Sequence, residues 1–192
     1  MATYPIPTRR WTRAEYDRLV DVGILHEDES VELIGGQLIV AEPKGSPHMV
    51  AVGLALDALR AVFGAGWVVR VEGPVAIDAD SEPEPDLAVV PGTQRDYLEG
   101  HPARPVLVLE VAESSLRIDR DQKGSLYARA GLPDYWIVNL VNRVVEVYRE
   151  PMRDASAAFG WRYGSMTPLA RGNAVSPLAA PAARILVSDL LP

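Results

Sequence analysis

The sequence predicts a mixed α/β fold, a β-sheet with helices packed on it. Three observations lead there. Val106 to Val111 is an almost unbroken apolar run, the pattern of a strand covered on both faces. Two segments, Pro47 to Val62 and Arg117 to Ala130, have helical character and end at glycine-containing stops. Along the 192 residues the order is helix, hairpin, helix, strands, helix, strands. That length suits one buried core. A single domain over 1–192 is expected, with an N-terminal helix and hairpin (1–45), a core (46–150) and a peripheral C-terminal segment (151–192).

Thr12 and Glu15 form a capping-box pattern before Tyr16, Leu19 and Val20, which predicts a helix over Arg13 to Val22. After an acidic loop, Val31-Glu32-Leu33-Ile34 and Gln37-Leu38-Ile39-Val40 flank Gly35-Gly36, a two-residue hairpin signature. Ser46 and Pro47 open the second helix, and Gly64-Ala65-Gly66 ends it. Trp67 to Val71 and Val75 to Ile77 read as strands. The acidic, proline-rich stretch Asp78 to Pro85 leads to Asp86 and the short run Leu87 to Val90. Beyond the central strand come the third helix, stopped by Gly131 and Pro133, and strands over Tyr135 to Leu140 and Val144 to Tyr148. Weak strands near Trp161 to Tyr163 and Ile185 to Val187 complete the chain.

Composition narrows the chemistry. There are no cysteines, which removes disulfides, thiolate nucleophiles and cysteine-bearing zinc sites together. His26, His48 and His101 are dispersed, with no paired-ligand spacing. The formal charge of −7 is the opposite of a generic nucleic-acid binder's, yet it is compatible with a metal site that supplies its own positive charge. No apolar run reaches membrane-helix length, and the polar N-terminus has no signal-peptide stretch, so a cytoplasmic protein without membrane attachment is expected. Of the 19 basic residues only Lys44 and Lys123 are lysine. Lysine offers a compact ammonium whose pKa can shift, so these two carry weight.

Glu110 is the one charge inside the central strand. A buried carboxylate costs several kcal/mol unless it is paired or coordinates a cation. The alternative is a glutamate that only marks the strand's wet exit. Asp86 heads a second short apolar run after Pro85; by itself it is an ordinary turn residue. Two acids on neighbouring strands can share one hard cation, since Mg²⁺ takes oxygen ligands and uses one or two protein carboxylates. The main-chain carbonyl of Val111 is a further candidate ligand. Asp119, Lys123 and Tyr127 share a helical face, and the bland account of them is an exposed ion pair.

Glu84-Pro85-Asp86-Leu87-Ala88-Val89-Val90, Pro105-Val106-Leu107-Val108-Leu109-Glu110-Val111-Ala112-Glu113-Ser114-Ser115, then Asp119, Lys123, Tyr127 and Gly131-Leu132-Pro133-Asp134-Tyr135-Trp136 together resemble the Uma-two-type family. This family is a branch of the PD-(D/E)XK nuclease-like superfamily, known largely as restriction-endonuclease-like proteins. Trp11-Thr12, the hairpin and Pro47-His48 also look like it, so the resemblance runs from about Arg9 to the C-terminus. It implies a restriction-endonuclease-like sheet flanked by helices, with Asp86, Glu110 and Lys123 as catalytic residues and Mg²⁺ or Mn²⁺ held by Asp86, Glu110 and the Val111 carbonyl. One departure is plain. Ala112 stands where the E-x-K pattern places lysine, and Lys123 on the following helix is the matching residue.

The implied reaction is phosphodiester hydrolysis in nucleic acid, with DNA the expected substrate and a homodimer the expected assembly. The alternative is a catalytically inactive nuclease-like binding module. Glu32 either completes the acidic cluster or only closes the hairpin. His48 is a helix residue that either approaches the site or faces solvent. Tyr127 reads as a packing residue with a satisfied hydroxyl. Phosphate-loop, dinucleotide-binding and hydrolase-elbow signatures are absent.

Overall fold

The computed structural model describes residues 8–26, 29–41 and 43–192. Pro5 and Pro7 of the polar N-terminus, and Glu27 and Asp28 of the acidic loop, lie outside the described residues. The N-terminal helix is α1 (Arg13–Asp21), and its Thr12–Glu15 capping box is formed in both directions. Strands β1 (Val31–Ile34) and β2 (Gln37–Val40) pair antiparallel. Gly35 and Gly36 both have positive φ, +55° and +76°, as a two-residue turn matching strand twist requires.

Helix α2 (Ser46–Val62) is capped by Gly45 and carries Pro47 in its first turn. Strands β3 (Trp67–Val71), β4 (Leu87–Pro91), β5 (Leu107–Ala112), β6 (Asp134–Asn139), β7 (Val144–Arg153) and β8 (Trp161–Leu169) form one six-stranded sheet in sequential order. Every neighbouring pair is antiparallel except β5 and β6, which run parallel. A parallel pair needs a crossover. Helix α3 supplies it, as Leu116–Ile118, a π-helical turn Asp119–Lys123, and Gly124–Arg129 in continuous succession. The sheet is therefore mixed and flanked by helices.

The twofold alternation of β5 sorts its side chains. Leu107, Leu109 and Val111 join the core under α2, with Ala51, Val52, Ala55 and Leu59. Val108 and Ala112 join the second core, with Tyr127 and Ala128 of α3. Glu110 lies between those two in the alternation, so it faces α3.

Two expectations meet a different structure. Val75 to Ile77 forms no strand: Val75 donates to the Pro83 carbonyl and Ala76 to that of Pro102. Pro74, Pro83 and Pro85 lack the donors a regular ladder needs. Val75 and Ala76 are nonetheless buried, and that burial produced the strand-like apolar pattern. The segment 151–192, expected at the periphery, contributes more than that. It supplies edge strand β8, and Val175, Ile185, Val187, Leu190 and Leu191 enter the α2-side core. Strands β9 (Ala174–Val175) and β10 (Ile185–Leu186) pair with each other to hold this tail in place. Its alanines and prolines conceal the core residues from a periodicity reading.

Candidate functional site

At the ends of β4 and β5 lies an open groove of about 1000 Å³, with Asp86, Glu110, Asp119 and Lys123 along its floor and the β1–β2 hairpin as one wall. Asp86 immediately precedes β4, so its side chain escapes the strand alternation and turns over the strand end. Its Oδ2 accepts the Val111 N–H at 2.7 Å, and its own N–H donates to Glu110 Oε2 at 3.3 Å. The two acids are thus tied together through backbone donors. Val111 presents its N–H to Asp86; in a strand the carbonyl of a residue faces the same edge as its N–H. That edge is where the expected cation would sit.

Glu110 Oε1 accepts from Lys123 Nζ at 3.1 Å and from the Tyr127 hydroxyl at 2.8 Å. Lys123 also lies 3.1 Å from Glu32 Oε2, an oxygen that accepts the Glu84 N–H at 2.9 Å. Asp119 accepts from the Ser115 hydroxyl at 2.6 Å. The π turn that carries Asp119 and Lys123 closes through the Gly124 N–H on the Asp119 carbonyl, which also accepts the Tyr135 hydroxyl at 3.0 Å. A side chain at Gly124 would meet that carbonyl at 3.3 Å, so glycine permits the widened turn. Outside it, Arg120 makes a two-pronged contact with Glu146, which is further held by Asn139 and Tyr148.

Six of the seven residues singled out in the sequence line this groove, and the seventh, Tyr127, lies buried behind Glu110. Glu32 does more than close the hairpin: the backbone bridge between Leu33 and Glu82 docks β1 on the acidic stretch and brings Glu32 to Lys123. His48 is turned inward, with Nε2 3.0 Å from Asp86 Oδ1 and a side chain 12% exposed. Tyr127 is fully buried, and the partner that satisfies its hydroxyl is Glu110 itself. Lys44 was not among the seven. Its Nζ is 2.9 Å from Asp86 Oδ1 and 2.9 Å from Glu72 Oε1. The signal that could have found it is the scarcity of lysine. Glu84 and Ser115 are likewise additions from the fold.

The charges are strongly perturbed. Burial pushes the Glu110 carboxyl up to about 8, and the Lys123 ammonium offsets this only in part. Burial likewise raises Asp119 to about 6 against the pull of Lys123 and Ser115. Burial opposes the charge on Lys123, but Glu110, Glu32 and Asp119 outweigh it and hold the ammonium above its ordinary range. Asp86 shows the reverse balance. Burial would raise it, yet His48, Lys44 and the Val111 N–H hold it low.

These donors fit a hard divalent cation: two carboxylates and a main-chain carbonyl, all oxygen, with groove space for water. Burial raises the Glu110 carboxyl, so its charged form needs a cation beyond Lys123 to be favoured at neutral pH. Among the described residues, however, no three acid or histidine side chains already converge as a complete ligand set. The remaining ligands would be water or substrate.

Comparison with known proteins follows the same lines. A search of curated proteins returns no match. A crystal structure described as a putative nuclease belonging to DUF820, from Anabaena variabilis ATCC 29413, superposes with a TM-score of 0.70 at 18% identity, covering 97% of each chain. That likeness shows a shared fold. The sequence profile of Uma2, described as "Putative restriction endonuclease", matches residues 13–183, and the chain belongs to that family.

Proposed function

We propose that the chain is a metal-dependent endonuclease that hydrolyses phosphodiester bonds in DNA, with Mg²⁺ or Mn²⁺ as its ion. The observation that carries this reading is Lys123 Nζ at 3.1 Å from Glu110 Oε1, in a groove that also holds Asp86. An acid pair with an adjacent ammonium is the donor set that phosphoryl hydrolysis needs. Family membership and the nuclease fold support it.

Asp86, Glu110 and the Val111 carbonyl would hold the ion, whose chemistry is to polarise the scissile phosphate and acidify the attacking water. Lys123 orients that water or stabilises charge developing on the phosphate oxygens. Tyr127 fixes Glu110 through its hydroxyl, and Glu32 and Asp119 keep the Lys123 amine charged and aimed. Cutting both strands of a duplex calls for two such sites, hence a homodimer.

One observation favours a second reading, a nuclease-like module that binds without cutting. Each acid already has an ammonium partner, and no complete ligand set converges. Incubating the purified protein with Mn²⁺ and DNA and RNA panels, beside Asp86→Ala, separates the two. Cleavage lost in the variant is the expected result. No cleavage by the wild type, or equal cleavage by both, leaves only the binding module.

A further inference from the structure

We infer that Lys44 is a displaceable counter-cation of the site: it neutralises Asp86 while no divalent ion is bound and is expelled into the groove when one enters. This rests on the metal-dependent reading above.

The two lysines are held very differently. Lys123 is buried to 8% side-chain exposure, on a helix, among Glu110, Glu32 and Asp119. Lys44 lies on the connection into α2, and its side chain is 31% exposed. Its partner Glu72 is more open still, at 41%. A four-carbon stem on such a connection can swing its ammonium several ångströms. Burial locks Lys123 in place; Lys44 has room to leave.

Lys44 Nζ contacts Asp86 Oδ1, while Oδ2 is taken by the Val111 N–H. Oδ1 is shared by Lys44 Nζ at 2.9 Å and His48 Nε2 at 3.0 Å; the histidine is 12% exposed and packed in place, so Lys44 is the partner free to give way to a cation. A divalent ion at that oxygen would both outcompete and repel the ammonium. The place vacated is already prepared. Glu72 has φ +47°, an uncommon conformation for a residue with a side chain, and is held there by its N–H on the Asp86 carbonyl at 3.0 Å. Its carboxylate already holds Lys44 at 2.9 Å and lines the same groove, so it would keep the ammonium in the groove once Asp86 is given up.

Two measurements on the full chain test this. Calorimetric titration with Mg²⁺ compares the wild type with Lys44→Met and Lys44→Arg. Removing the competitor should tighten ion binding by about tenfold in Lys44→Met, while Lys44→Arg, which keeps the charge, should stay near the wild type. With only two lysines in the chain, ¹³C-lysine labelling yields two side-chain Cε signals, and Lys44→Met assigns them. Saturating Mg²⁺ should move the Lys44 signal more than that of Lys123. Unchanged or weaker binding by Lys44→Met, or a Lys44 signal that does not move, overturns the inference and leaves the nuclease reading standing. Absence of Mg²⁺ binding in all three proteins overturns both.

Discussion

Lys123 Nζ stands at 3.1 Å from both Glu110 Oε1 and Glu32 Oε2, so one buried ammonium joins the central strand, the hairpin and the crossover helix. Three separate parts of the chain converge on a single nitrogen. A buried charge set of this kind is fragile, because removing one member strands the others in low dielectric.

Lys123→Met should therefore impair the reaction. Cleavage should fall by about 100-fold or more, the scale expected for loss of a charge-stabilising donor. Lys123→Arg should not restore it, since a planar guanidinium cannot take the place of a compact ammonium between two carboxylates. Single-turnover cleavage of both variants checks this; Arg activity close to the wild type would contradict it.

The π turn is expected to depend on Arg120. Its guanidinium pairs with Glu146, which is 2% exposed and also held by Asn139 and Tyr148. Arg120→Ala leaves that carboxylate with only Asn139 and Tyr148; since the guanidinium is 38% exposed, the expected cost is about 1–2 kcal/mol. Urea unfolding measures it, and a loss under about 0.5 kcal/mol would place the pair among ordinary surface bridges.

A pH dependence follows from Glu82. Its carboxyl is almost wholly buried; Arg13 and His101 lie 3.9 Å away, too far to hydrogen-bond. Burial raises its pKa to about 7, with Asp17 adding to the rise and Arg13 opposing it. Below the unfolded value near 4.5 both states hold the proton, and the associated stability is fully present. Between about 4.5 and 7 the folded state retains a proton that the unfolded state has lost, so stability declines as pH rises through that window. Glu82→Gln should flatten the decline, by an amount on the order of 1–3 kcal/mol. Denaturant midpoints at pH 4.5, 6 and 7.5 decide it; parallel profiles for the two proteins would refute it.

The hairpin turn offers a local test. A Cβ at Gly35 would lie 2.4 Å from the Phe159 ring, on a backbone at φ +55°. Gly35→Ala should lower stability by about 1–2 kcal/mol through strain and displacement of the ring. A melting temperature equal to the wild type's would show that Phe159 yields freely.

Local pattern revealed most elements and made Glu110 conspicuous, while the roles expected of Asp86 and Lys123 came from the family resemblance. Capping residues, paired glycines and apolar periodicity act over a few positions, so α1, the hairpin, α2 and β5 were legible in order. A charge in a doubly covered strand must be explained, whereas Asp86 after Pro85 and Lys123 on a helix each had an ordinary local account. Tertiary structure alone decided which partners these residues meet. Glu32 reaches Lys123 because Leu33 bridges to Glu82, and Lys44 reaches Asp86 because α2, which follows it, packs on the core shared with β4 and β5. The tail shows the same division: Val187 and Leu190 sit in an alanine- and proline-rich segment without periodicity, yet both are fully buried. Secondary structure arises from neighbours in the chain, whereas a charge cluster arises from surfaces brought together by burial of apolar area elsewhere. That information is non-local, and no stretch of this sequence contains it.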